Sequence, residues 1–268
     1  MTFTEQTARD WNDDLALIRD AARQAGEIAL SHFGKSPEVW WKLEGRSPVS
    51  AADFASNDRL HMLLLGARPD YGWLSEETDD DAARLKRETL FVVDPIDGTR
   101  AFINGEKTWC VSVAVVHRGS PVAGVLFAPA LEEEFFAVAG GPAVLNGQPI
   151  AVSAARPGEV SEIAVAEDTL KSFNPAFRST LRRIRHVPSL AYRLAMVAAG
   201  RIDGTVVKRN SHDWDLAAAD LILERAGGRL VDMQGKRLVY NRADVQHGVL
   251  CGAAEHVLDS LVAGLDAG

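Results

Sequence analysis

Asp94 and Asp97 stand three residues apart in Phe91-Val-Val-Asp-Pro-Ile-Asp-Gly-Thr-Arg100. An apolar run delivers the first carboxylate, and Pro95 forces an extended or turning backbone after it. Two carboxylates on one tight turn can reach a shared hard cation, which takes several oxygen ligands. Gly98 lets the backbone approach a ligand closely. Amides of Gly98 and Thr99 could hold a phosphate if a helical turn starts there. The competing reading is an ordinary turn, since Asp, Pro and Gly all favour turns.

Two further acidic groups weigh against that competitor. Glu76 and Glu77 follow the apolar pair Trp73-Leu74, just past a short strand. His212-Asp-Trp-Asp215 opens a helical stretch, where either Asp213 or Asp215 could serve as a helix cap. Adjacent glutamates are ordinarily solvated, Trp214 could be a core anchor, and His212 reads as a hydrogen-bonded wall residue. Three acidic groups, each at the end of a regular element, compose an oxygen-ligand, multi-metal site. Zinc fits less well, because no His or Cys pair shows ligand spacing.

The elements that must position these groups can be read from periodicity. Leu15, Ile18, Ala22, Ala25, Ala29 and Phe33 fall at helical spacing within a helix predicted from about Glu5 to Phe33 and ended by Gly34 and Pro37. A second helix is predicted from Ala51 to about Gly66. Tyr71–Ser75 and Thr89–Val93 read as strands, the latter stopping at Asp94-Pro95. Trp109–His117, Pro121–Ala128 and Glu134–Ala139 read as an antiparallel meander.

Later elements alternate. A strand near Ile163–Ala166 precedes helices at Pro175–Ile184 and Ser189–Ala199. A strand at Asp203–Val207 leads to a helix from Asp215 to Ala226, stopped by Gly227-Gly228. Strands at Arg229–Asp232 and Gly248–Gly252 and a helix near Glu255–Ala263 follow. With no linker or repeat visible, the whole of 1–268 is expected to be one unit. Its approximate halves are a metal-site half, 1–150, and a substrate-side half, 151–268. Layered sheets and helices of an α+β class, with two sheets, are the expected architecture.

Composition narrows the function classes. A formal charge of −8 over 268 residues argues against nucleic-acid or membrane-surface binding. An acidic protein that handles phosphate must offset its own field locally, and cations are the obvious means. Cys110 and Cys251, far apart, read as buried residues of a reducing compartment. No signal pattern opens the chain, and no apolar run reaches the roughly 20 residues that span a bilayer. A cytoplasmic location is therefore expected. Neither a nucleotide-binding P-loop nor a Gly-x-Ser-x-Gly elbow occurs.

The sequence resembles the inositol monophosphatase superfamily of lithium-sensitive, magnesium-dependent phosphatases. The likeness runs from about Lys42 to Gly252. It is carried by Leu74-Ser-Glu-Glu77, Asp94-Pro-Ile-Asp-Gly-Thr99, and Trp214-Asp215-Leu-Ala-Ala-Ala219 leading to Gly227-Gly228. The resemblance implies a layered α–β–α–β–α sandwich. It also implies that Glu76, Asp94 and the Ile96 carbonyl hold one magnesium ion and that Asp94, Asp97 and Asp215 hold a second. A weaker third ion would sit near Glu76. By the same resemblance Thr99 and Asp53 orient the attacking water, Lys42 belongs to a mobile loop over the metals, and homodimers are common.

Substrate choice turns on Val206-Val-Lys-Arg-Asn-Ser-His212. Relatives that prefer inositol phosphates carry a glutamate in this stretch. Here Val207 or Lys208 stands at the matching place. Lys208 and Arg209 would favour a second negative group on the substrate, as in the bacterial branch that acts on 3′-phosphoadenosine 5′-phosphate. Their alternative is simply to point to solvent. Inositol monophosphate, fructose bisphosphate and histidinol phosphate stay open. A haloacid-dehalogenase-type phosphatase would need Asp-x-Asp, one residue shorter than Asp94–Asp97. A non-catalytic regulatory partner would predict a broken carboxylate set, whereas Glu76, Asp94, Asp97, Thr99 and Asp215 are all present.

Overall fold

The computed structural model describes residues 10–35, 39–42, 47–154, 160–185 and 187–266. Its first large sheet has seven strands: β3 (Gly72–Ser75), β4 (Thr89–Asp97), β5 (Cys110–His117), β6 (Ser120–Ala128), β7 (Glu133–Val138), β8 (Val144–Leu145) and β9 (Gln148–Pro149), hydrogen-bonded in that order. β3 runs parallel to β4, and every later pairing is antiparallel, so the expected meander forms the body of this sheet. A small ribbon, β1 (Val39–Lys42) with β2 (Ser47–Ser50), precedes it.

Both faces of this sheet are covered, which explains the unbroken apolar runs in β4 and β5. Phe91, Val93, Val111, Val113 and Val115 pack against α1 (Asn12–His32) and α2 (Ala51–Ala67). Alternating with them, Leu90, Val92, Ala114 and Val116 pack against α6 (Leu190–Ala198) and α7 (Asp213–Arg225). Burying each Val, Leu or Phe among them contributes roughly 2 kcal/mol.

Behind α6 and α7 lies a five-stranded sheet in the order β11 (Leu181–Ile184), β10 (Ser161–Ala164), β12 (Gly204–Val207), β16 (Leu250–Ala254), β14 (Gly228–Asp232), and the two-residue strands β13 (Ser211–His212) and β15 (Gln246–His247) pair antiparallel apart from it. Its far face carries Ile163, Val206, Val231 and Cys251 against α8 (Glu255–Asp266) and the short α4 (Glu167–Ser172) and α5 (Pro175–Arg178). The result is the expected α–β–α–β–α layering. Gly124 shows how closely the layers meet: a Cβ there would lie 3.0 Å from the Ala218 carbonyl oxygen and 3.1 Å from its Cα. No residue of α7 is exposed.

Several boundaries differ from expectation. The start of the first helix, before residue 10, lies outside the described residues. β4 does not stop at Asp94 but runs on through Pro95 to Asp97, with its register to β5 shifting between Asp94 and Asp97. A bulge is where a strand tolerates a proline. The helix expected over 175–184 is instead α5 followed by the edge strand β11, parallel to β10. α4 was not foreseen. α7 begins at Asp213 rather than Asp215.

Candidate active site

Glu76 follows β3 directly, and its N–H donates to the Val93 carbonyl at 3.2 Å, which roots it beside the end of β4. Asp94 lies inside β4, with Ser112 as its partner on β5. The Ser112 hydroxyl donates to the Trp214 carbonyl at 3.2 Å, tying the first turn of α7 to the strand beside Asp94. Asp215 sits in that turn and accepts the His212 N–H at 2.7 Å. Residues up to 139 positions apart are thus brought together: carboxylate oxygens of Glu76, Asp94 and Asp215 all lie within 4.8 Å of one another.

That crowding has an electrostatic cost. At an effective dielectric of about 20, two unit charges ~5 Å apart repel by about 3 kcal/mol. Burial pushes Asp94 well above the ordinary carboxylate range, and Glu76, Asp97 and Asp215 push it further. Asp97 is also fully enclosed and is raised to about 7 by burial and by Asp215. Such a cluster of oxygen donors, with no His or Cys in it, fits a hard divalent cation, whose charge would offset the repulsion.

Asp97 lies outside the closest group of three. It turns to the amino terminus of α6, accepting N–H donors from Ala191 at 2.7 Å and Leu190 at 3.3 Å and the Ser189 hydroxyl. Ser189 also caps α6, through Tyr192 N–H at 3.1 Å. Its contact with Asp97 joins residues 92 positions apart, and nothing local in the sequence marks it. Gly98 follows with φ of 95°, in the left-handed region, and a Cβ there would meet the Ser189 Cβ at 2.9 Å. The short α3 (Thr99–Ile103) starts immediately after.

Thr99 and Asp53 are brought together. The Thr99 hydroxyl is 3.3 Å from Asp53 Oδ1 and 3.1 Å from the Ile96 carbonyl oxygen, so its one proton serves either acceptor. Asp53 Oδ2 accepts the Ser50 N–H at 2.8 Å and the Ser50 hydroxyl at 2.6 Å, which fixes its rotamer at the start of α2. Burial raises Asp53 to about 6, outweighing the hydrogen bonds from Ser50.

The outer residues are more dispersed. Lys42 ends β1 opposite Ser47, and the turn after it lies outside the described residues. Lys208 and Arg209 follow β12 and are exposed. Lys208 pairs with Asp168 of α4 at 2.6 Å. His212 stacks on Trp214, rings 4.5 Å apart and 6° from parallel, as a wall residue would. Asp213 is a buried anchor and not a second ligand, with His247 Nε2 2.7 Å away and the Asn241 N–H at 2.8 Å.

Comparison with known proteins decides the family. The profile of the inositol monophosphatase family matches residues 10–265. The chain belongs to the inositol monophosphatase family. Members of this family are metal-dependent hydrolases of phosphoric monoesters, so this inositol monophosphatase family member is a phosphatase. A histidinol-phosphatase of Chlorobaculum parvum is 31% identical over 84% of this chain and 88% of that protein. A fructose-1,6-bisphosphatase/inositol-1-monophosphatase of Thermotoga maritima is 32% identical over 80% and 82%. The solved structure of extragenic suppressor protein suhB from Bartonella henselae superposes with a TM-score of 0.84 at 30% identity, covering 96% of this chain and 99% of that one. Among the described residues, no helix is long and apolar enough to cross a membrane.

Proposed function

We propose that this family member is a magnesium-dependent phosphatase of a small soluble phosphomonoester that carries a second anionic group, with 3′-phosphoadenosine 5′-phosphate as the leading substrate. The observation that carries the phosphatase reading is the convergence of Glu76, Asp94 and Asp215 oxygens within 4.8 Å, in a set that asks for hard cations. Two or three magnesium ions are expected there, with Glu76, Asp94, the Ile96 carbonyl, Asp97 and Asp215 as ligands. When bound, such ions neutralise phosphate charge and make a neighbouring water more acidic.

The chain's own groups supply the rest. Asp53 accepts the proton of the Thr99 hydroxyl, which leaves the Thr99 oxygen lone pairs directed at the attacking water. An Asp53 carboxylate raised to about 6 suits that task near neutral pH. For Asp97 to join the cluster it must share its oxygens with the α6 amino terminus. Gly98 and Thr99, at the start of α3, are the backbone expected beside the phosphate. Lys208 and Arg209 supply the basic rim that favours a second anionic group, and Lys208 must leave Asp168 to reach it.

The test is phosphate release from 3′-phosphoadenosine 5′-phosphate, inositol 1-phosphate, fructose 1,6-bisphosphate and histidinol phosphate, each with magnesium and with chelator. Fastest magnesium-dependent release from the nucleotide supports the full reading. A lead by inositol 1-phosphate or histidinol phosphate removes the role given to Lys208. In the Lys208→Glu variant, kcat/KM for the nucleotide should fall about tenfold more than for inositol 1-phosphate, a difference of about 1.4 kcal/mol. Silence across the panel from folded protein would favour a regulatory role instead.

A further inference from the structure

Glu76 and Asp215 belong to elements that share no strand pairing: one follows β3, the other opens α7. The loop after Glu76 and the residue two before Asp215 are joined by a hydrogen-bond chain centred on Arg84, itself only 3% exposed, with an exposed Asp80 at one end and a half-buried Asn241 next to it. Arg84 lies in the 3-10 turn Ala82–Lys86, at the end of the loop that begins with Glu76. Its Nε and Nη2 donate to the two oxygens of Asp80, at 2.6 and 2.8 Å. Its Nη1 donates to Asn241 Oδ1 at 2.7 Å and to the Arg242 carbonyl at 3.0 Å. The Asn241 N–H continues to Asp213 Oδ2, and His247 holds the other oxygen of Asp213. Asp213 is two residues before Asp215, and its own N–H donates to the Val245 carbonyl at 3.0 Å.

We infer that Arg84 and Asn241 are positioning residues that fix the gap between Glu76 and Asp215 before any cation arrives. Like charges this close repel; Glu76 is rooted on β4 by its own N–H and the first turn of α7 is tied to β5 through Ser112, and the Arg84–Asn241 chain adds a direct tie between the two sides. A forked guanidinium can grip a carboxylate with one edge and an amide with another; a lysine ammonium cannot. Asn241 sits at φ of 57°, where asparagine is tolerated, and so presents its N–H to Asp213 and its side chain to Arg84 together. Groups bonded directly to metal ligands typically alter affinity by 10–100-fold; Arg84 and Asn241 act one step further back, through Asp213, so the lower end of that range is expected. The inference rests on the cation reading of this site.

The test uses full-length protein freed of metal, titrated calorimetrically with magnesium, in wild type, Arg84→Lys and Asn241→Gly. Asn241→Gly tolerates the positive φ and keeps the N–H to Asp213 while deleting the acceptor for Arg84. Each variant should bind magnesium about 10-fold more weakly, with far-UV circular dichroism unchanged. At saturating magnesium KM should stay at the wild-type value, because the clamp touches no substrate. The double variant should lose no more than about the larger single loss, because both act through one contact. Equal magnesium affinity in folded variants, even with a lowered Tm, overturns the clamp alone. No binding by wild type overturns the cation reading together with it. Should Arg84→Lys fail to fold, Asn241→Gly decides.

Discussion

Asp94 is fully enclosed and faces three other carboxylates, so removing its charge should relieve the metal-free fold and destroy the site. Asp94→Asn is expected to lower kcat by at least about 10³-fold, by the scale of losing a central electrostatic group. Its Tm without metal should equal or exceed that of wild type, as read by thermal denaturation. Protons act on the same crowding. Asp53 at about 6 and Asp97 at about 7 are raised in the folded state above their unfolded values. Asp220, bonded to Tyr240 away from the cluster, is raised to about 7 by burial. Between pH 4 and 7 the folded chain therefore holds more protons than the unfolded chain, and stability falls as pH rises through that window. Metal-free protein should melt several degrees lower at pH 8 than at pH 5, by roughly the scale of 1 kcal/mol per ~3 °C. Saturating magnesium should flatten that slope, since cations then offset the charges that protons offset at low pH.

At the scale of elements, the junction of β4 with α3 couples backbone conformation to the site. Gly98 combines a left-handed φ with contact against Ser189, so Gly98→Ala meets both a strained backbone and a clash. A loss of about 1–3 kcal/mol in denaturant unfolding is expected, with kcat falling more than tenfold. Much of this region was legible in the sequence. The Asp-Pro-Ile-Asp-Gly-Thr run announces a chemical turn, and the apolar runs of β4 and β5 announce a sheet covered on both faces. What stayed hidden was pairing across the fold. Ser189 is read only as the start of a predicted helix, and the tertiary structure shows its hydroxyl donating to Asp97. Nothing in the sequence singles out Arg84, whose partner Asn241 lies 157 residues later. The edge strand β11 misleads for a different reason: Leu181-Arg-Arg-Ile184 is too short for its period to separate strand from helix, and its pairing partner β10 settles the matter.

At the scale of the molecule, the layers meet so closely that sequence variation in the middle layer is limited. Gly124→Val would drive β6 away from Ala218 of α7 and should cost about 1–3 kcal/mol in equilibrium unfolding. The enzyme should also lose magnesium affinity, because α7 carries Asp215 to the site. The two-sided burial of α7 has a consequence for how this protein comes apart. Glu76 and Asp94 are supplied by the sequence before residue 150, Asp215 by the sequence after it, and the proposed cation site is complete only where the two segments are docked. A ligand confined to such a seam reports on docking itself: at 100 times its Kd it would hold the segments together by about 2.7 kcal/mol. Magnesium would then act as a reversible rivet across that seam, and its release would loosen the docking by the same amount.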